Sequence, residues 1–352
     1  MKLLDRLRST LSGRGRTPSS DRTRRPRLRW IALGVAVVLL AGWALSFYWS
    51  REPELIDVQA AAKAHAPANV NPGDVTGYTV CSALVSTVET LLDKPGGYLS
   101  NDVTPPSVFL DNMPSWEYGV IVQIRDLARS LRNDMSRSRS QSAEDPDLAI
   151  ADPQFSFPND SWMFPATESE YRKGVKAVER YMTRLADPNS QNTQFYARAD
   201  NLREWLGLVN KRLGNLSQQL TASVGQYRVN TDLGGDRSAR QATRGSDEVY
   251  TQTDWFQIDN VFYKARGSTW AIITFLRAVE VDFRDVLRDK NALVSLRQII
   301  RELEHTQSPL YSPMVLNGSG FGIFANHSLT MASYIARANA AIIDLRDLLA
   351  QG

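Results

Sequence analysis

The residue types that most readily do chemistry are sparse in these 352 residues. Three histidines, His65, His305 and His327, could ligate a metal or carry a proton. None has a second histidine, cysteine or carboxylate at metal-ligand spacing, so no metal site is expected from them. The lone cysteine, Cys81, cannot form an intramolecular disulfide, and its apolar neighbours mark it as a small core residue rather than a reactive thiol. A Gly-x-Ser-x-Gly elbow and a Ser-x-x-Lys pair are both absent.

The nearest approach to a motif is Asn317-Gly-Ser-Gly-Phe-Gly-Ile-Phe, followed by Asn326-His327-Ser328 and an apolar helical stripe. A Gly-rich loop that feeds a helix N-terminus can hold an anion on backbone N–H groups. Its spacing matches neither the Walker lysine loop nor Gly-x-Gly-x-x-Gly. Ser319, Asn326 and His327 are the ligand-binding candidates; the alternative is a tight turn with Asn326 or Ser328 as N-cap. Between Pro95 and Gly119, the oxygens of Asn101, Asp102, Asp111 and Asn112 could face calcium but lack EF-hand spacing. An ordered inter-helix loop is expected there. Glu144, Asp145, Asp147 and Asp152 are expected to be solvated. A glycan hydrolase would need two carboxylates across a cleft. Glu280 and Asp282 are available, yet their place beside an apolar stripe assigns them to a solvated or ion-paired face. No catalytic residue and no cofactor is assigned.

The elements that must position these groups are helices. Apolar residues recur at three- and four-residue steps almost throughout: Val80, Leu84, Val88 and Leu91; Val120, Ile124, Leu127, Leu131 and Met135; then Tyr171, Val175, Val178, Met182 and Leu185. The third stripe opens with a capping-box spacing, Thr167 to Glu170. A long helix carries Phe195, Ala199, Leu202, Leu206, Val209, Leu213, Leu216 and Leu220. Another runs from Ile258 through Phe262, Ala265, Thr269, Ile272, Leu276, Val279 and Phe283 to Val286. Leu293, Leu296, Ile300 and Leu303 follow. The last stripe is Leu329, Ala332, Ile335, Ala338, Ile342, Leu345 and Leu349. The class is all-α, a large bundle with long coiled-coil-like helices. Residues 136–166, with four prolines, are expected not to stay helical for long, with Phe155, Phe157, Trp162 and Phe164 packing the loop onto the bundle. Residues 226–252 read as a polar, flexible linker between 75–225 and 253–352, which are two helical subdomains or two halves of one bundle.

Charge and hydropathy locate the whole. Residues 1–29 carry ten Lys/Arg against Asp5 and Asp21, so this tail is +8 and the remainder of the +3 chain is −5. A mildly acidic globular part is a poor partner for nucleic acid. Trp30 to Trp49 is free of charge, long enough for a bilayer core, and flanked by aromatics. The arginine-rich side sets the N-terminus in the cytoplasm. A cleaved signal peptide, cut near Gly42 or Ala44, is disfavoured because the apolar run continues into bulky aromatics. Residues 50–74 read as a stalk.

The stretches Glu89-Thr-Leu-Leu-Asp-Lys-Pro-Gly-Gly-Tyr-Leu-Ser-Asn-Asp-Val-Thr-Pro-Pro106, Tyr196-Ala-Arg-Ala-Asp-Asn-Leu-Arg203, Ala292-Leu-Val-Ser-Leu-Arg-Gln-Ile-Ile-Arg-Glu-Leu-Glu304 and Asn317-Gly-Ser-Gly-Phe-Gly carry a resemblance. In these the chain resembles an uncharacterised bacterial membrane-anchored family, domain of unknown function 2333. The resemblance implies a Gram-negative inner membrane with the main domain in the periplasm, and no activity. The leading expectation is an envelope scaffold or adaptor, whose partners are the lipid bilayer and an envelope protein or a second copy. An enzyme acting on cell-wall glycan or lipid, and a periplasmic ligand-binding protein, are the alternatives.

Overall fold

The structure, a computed structural model, describes residues 24–137, 144–190, 192–229, 248–310 and 327–351. Among them are eleven α-helices and one two-stranded hairpin, so the chain is all-α. It divides into two compact units, Met1–Tyr48 and Trp49–Gly352. In the first, helix α1 (Arg24–Trp49) contains a 21-residue stretch, Arg29–Trp49, long and apolar enough to cross a membrane and not buried by protein. At about 1.5 Å per residue this stretch matches the roughly 30 Å of a hydrocarbon core.

The second unit holds α2 (Val58–His65), α3 (Tyr78–Asp93), α4 (Asn112–Ser130), α5 (Pro146–Phe155), α6 (Thr167–Leu185) and α7 (Ala199–Thr221). After these come β1 (Gln226–Val229), β2 (Glu248–Thr251), α8 (Ile258–Asp282), α9 (Arg284–Asp289), α10 (Leu293–Glu304) and α11 (His327–Ala350). The principal helix pairs are α4 with α8, α7 with α11, and α5 with α6; α3 packs on both α8 and α6. One apolar core runs from Val58 to Leu349. Residues 226–252 therefore join two halves that share a core. Within that segment β1 and β2 pair antiparallel, Gln226 opposite Thr251 and Val229 opposite Glu248, a short strand pairing that the polar composition conceals.

The stripes of α6, α7, α10 and α11 are buried much as their spacing predicts. Two helices exceed expectation. The first three turns of α3 are buried all round, as is most of α8 between Ala265 and Val279. Thr269 and Thr274 tolerate this because each hydroxyl donates to a carbonyl four residues back, Ala265 and Trp270. The stripe read as continuous to Val286 breaks at Phe283, where α9 begins.

Helices α4 and α8 run in the same direction, with their backbones nearly touching. A Cβ on Gly119 would lie 2.2 Å from the Lys264 carbonyl oxygen, and one on Gly267 2.0 Å from that of Trp116. Ser268 Oγ donates to the Gly119 carbonyl at 3.1 Å, and the Trp116 and Trp270 rings stand 5.2 Å apart. Helices α3, α7 and α10 run the opposite way, as Val80 beside Asp282, Gln219 beside Lys264, and Arg297 beside Glu280 with Thr306 beside Thr269 establish. The unit thus has two ends: a proximal end, where the chain arrives at Trp49, and a distal end, where α8 finishes.

Three local expectations are corrected. Residues 50–74 are no free stalk. Glu52 pairs with the buried Arg266, the Trp270 indole N–H donates to the Glu54 carbonyl, and Val58 and Ala62 are buried. Within 136–166 lies α5, which Asp145 caps through the N–H groups of Asp147 and Leu148, with Pro146 at its first position. Proline is harmless there because that N–H needs no partner. Phe155 is buried by this helix and Phe157 packs on the core, but Trp162 and Phe164 are exposed. Thr167 is not an N-cap: its hydroxyl donates to the Pro158 and Ser161 carbonyls, and Glu170 pairs with Lys173.

Candidate functional site

Helix α3 is preceded by Gly77, whose φ of +89° suits glycine and which has no side chain to satisfy the first N–H groups. The missing acceptor comes from Asp282, the last residue of α8, 202 residues away in sequence. Val80 N–H donates to Asp282 Oδ2 at 2.7 Å, and the N–H groups of Gly77 and Thr79 and the Thr79 hydroxyl also reach this carboxylate. Asp282 is expected from the sequence on a solvated or ion-paired face; the junction of two helix ends instead leaves it half-buried, with its carboxylate engaged by the start of α3. Burial pushes its carboxyl up to about 7, against the pull of those hydrogen bonds. Near neutral pH it therefore holds a proton part of the time, as a general acid or base must.

Asp282 borders a polar cleft of about 440 Å³ at the distal end. Gln59 and Lys63 of α2, Asn71 and Thr76 of the following turn, and Arg284 and Asp285 of α9 line it as well. The cleft thus brings a carboxyl that titrates near neutrality together with two cationic side chains, Lys63 and Arg284. A second cleft of about 290 Å³ lies between α4, α7 and α8. There burial lowers the Lys264 ammonium, which donates to Gln219 Oε1, while Arg212 is engaged by Asp126. That cleft offers hydrogen bonds but no free acid.

The residues singled out from sequence fall elsewhere. Ser319 and Asn326 lie outside the described residues. His327 opens α11 with its ring 6.3 Å from that of Phe262. His305 stacks on Tyr334. His65 does meet a carboxylate: Nε2 is 3.2 Å from Glu89 Oε2 and Nδ1 2.8 Å from Ser82 Oγ, joining α2 to α3. No group of three metal-capable side chains occurs among the described residues. Asn101 is buried, its Nδ2 donating to the Ser161 carbonyl and Glu168. The acidic run 144–152 is ion-paired, with Asp145 and Asp152 buried and only Glu144 left exposed: Arg184 binds Asp145 and Asp147, and Arg132 binds Glu144 and Asp152. Glu280 pairs with Arg297, as one of its two expected settings.

Sequence reading missed one buried ion pair altogether. Lys94 and Glu117 approach to 2.5 Å with almost no exposure. Glu117 also accepts from the Leu99 and Ser100 N–H groups, and Lys94 donates to the Gly97 carbonyl. Together they shape the Lys94–Asn101 turn, part of the longest stretch that carried the family resemblance. A lysine directly before Pro-Gly-Gly reads as a solvated helix end, so only the fold reveals it.

No curated protein and no solved structure matches the chain. A family model does, over residues 23–352, nearly the full length. The chain thus belongs to the family described as uncharacterized protein conserved in bacteria, DUF2333.

Proposed function

We propose that this protein is a scaffold or adaptor of the bacterial envelope, anchored in the inner membrane by α1, with its basic tail in the cytoplasm and the helical unit in the periplasm. The arginine-rich flank and the positive-inside rule support that topology. One observation carries the role: the chain is fastened to the unit almost as soon as α1 ends. Glu52 is held by Arg266, itself fixed by the Thr306 and Ser308 carbonyls, and Trp270 holds Glu54. Three residues reach about 10 Å at most, so little free chain separates α1 from its first fastening to the unit. A unit without a long tether suits an adaptor, which has to present helical faces to neighbours. In-cell crosslinking of the native-level protein, tagged at Gly352, with mass spectrometry of the captured species, tests this. A reproducible envelope partner is expected, and capture of the chain alone would overturn the role.

The distal cleft favours a second reading, an envelope enzyme acting on cell-wall glycan or lipid through Asp282. Asp282→Asn keeps an acceptor for α3 while removing the acid. Loss of cellular function with folding intact would select this reading; full function would remove it.

A further inference from the structure

We infer that the proximal end of the helical unit is a second membrane contact, its aromatic loops resting in the headgroup–acyl boundary of the bilayer; the inference rests on the reading of α1 as a span. Among the described residues past Tyr48, fifteen large apolar side chains are exposed, and eleven of them lie on the loops and hairpin at this one end. A soluble surface scatters such residues singly, whereas a concentration of this kind marks a contact surface.

Three neighbouring segments carry the patch. The loop that leads into α4 bears Val108 and Phe109, the latter 78% exposed. The loop before α6 bears Trp162 and Phe164, the latter 92% exposed. It is tied to the first by Asn101, which donates to the Ser161 carbonyl, and by the Tyr98 hydroxyl on the Asn159 carbonyl. The turn that opens α8 bears Trp255 and Phe256, the latter 79% exposed. Asp111 at the start of α4 and Asp259 at the start of α8 feel each other's charge, which places these two segments side by side.

The occupant follows from where the chain arrives. Trp49 packs against Gly96, in the turn that Lys94 and Glu117 shape, and Glu52 is already bound to the N-terminal half of α8. From there residues 52–62 run along α8 away from this end, toward Val281 and Asp282. The aromatic end is therefore the one from which the chain departs for the bilayer. Trp and Phe on loops are the side chains that favour the interfacial zone. Asp102, Asp111, Asp160 and Asp254 stand among these loops. Such carboxylates hold the contact at headgroup depth and gain nothing from anionic lipid, so zwitterionic lipid is the fitting partner.

The test uses the full chain, with Cys81→Ala, in phosphatidylcholine vesicles with or without lipid brominated on the acyl chains. Single variants Phe109→Cys, Phe164→Cys and Phe256→Cys carry an environment-sensitive fluorophore. Val38→Cys on α1 and the exposed distal Val294→Cys serve as references. The three loop labels are expected to emit at shorter wavelength and to lose intensity in brominated vesicles, by a large share of the loss at Val38 and far more than at Val294. Quenching at Val38 without quenching at the loops overturns the inference and leaves α1 a span. Absence of quenching at Val38 overturns the span and the inference with it. Loop labels that are blue-shifted but insensitive to bromine are covered by protein, a second copy or another chain, and that too overturns it.

Discussion

Lys94 and Glu117 form an ion pair out of reach of water, and its consequences are asymmetric. Burial raises the Glu117 carboxyl, while the Lys94 ammonium and three hydrogen bonds pull it back. Removing one partner strands a buried charge, which costs about 3–5 kcal/mol. Lys94→Met is thus expected to destabilise the unit by that order in chemical denaturation. Lys94→Met combined with Glu117→Gln should recover a large part, since the stranded charge is gone. Asp282 acts through pH instead. Its folded carboxyl titrates near 7, against an ordinary value of 3.8. Between these values the folded state binds more protons than the unfolded one, so this group lowers stability as pH rises from about 4 to 7. The loss should be visible as a steeper decline in wild type than in Asp282→Asn when unfolding free energies are compared across that window. Neither group was legible in the sequence as a site. Asp282 meets α3 only through a tertiary junction, and Lys94 borders a turn whose composition looks exposed.

Helix α8 organises the elements around it. Its parallel contact with α4 depends on two glycines whose hydrogens face partner carbonyls. Gly267→Ala must push the Trp116 backbone aside, and overpacking of that kind costs about 1–3 kcal/mol or more. Gly73→Ala, where the nearest atoms to a new Cβ are 3.9 Å away, should be close to neutral. Thermal or denaturant melts of the two variants check the contrast. Half-buried helices wrote their positions into the sequence: α6, α7, α10 and α11 each show one apolar stripe because one side faces water. Helices α3 and α8 are enclosed, so a stripe understates them. Helix α5 was hidden by Pro146 and Pro153, though the first is a helix start and the second lies in a short helix cut off soon after.

The molecule past Tyr48 is one unit, because α4 and α7 from before the hairpin pair with α8 and α11 from after it. Periodicity reveals each helix but not which helices meet, and a polar segment such as 226–252 marks a surface crossing as readily as a boundary between folded parts. The all-α class and the apolar N-terminal helix were readable for the same reason: both depend on local pattern and length. The fastening of residues 52–62 was not, since Arg266 lies 214 residues from Glu52. That fastening makes residues 52–62 part of the folded unit and not a loose stalk. Hydrogen exchange of the full chain in lipid nanodiscs tests it most directly, read at the amides of Ala61 to Ala66, which donate within α2 and at its C-terminus. Protection comparable to that of α8, and its selective loss in Arg266→Ala, is the result this structure requires. Free exchange from Ala61 to Ala66 in the wild-type chain, with α8 protected, would show a loose stalk and contradict it.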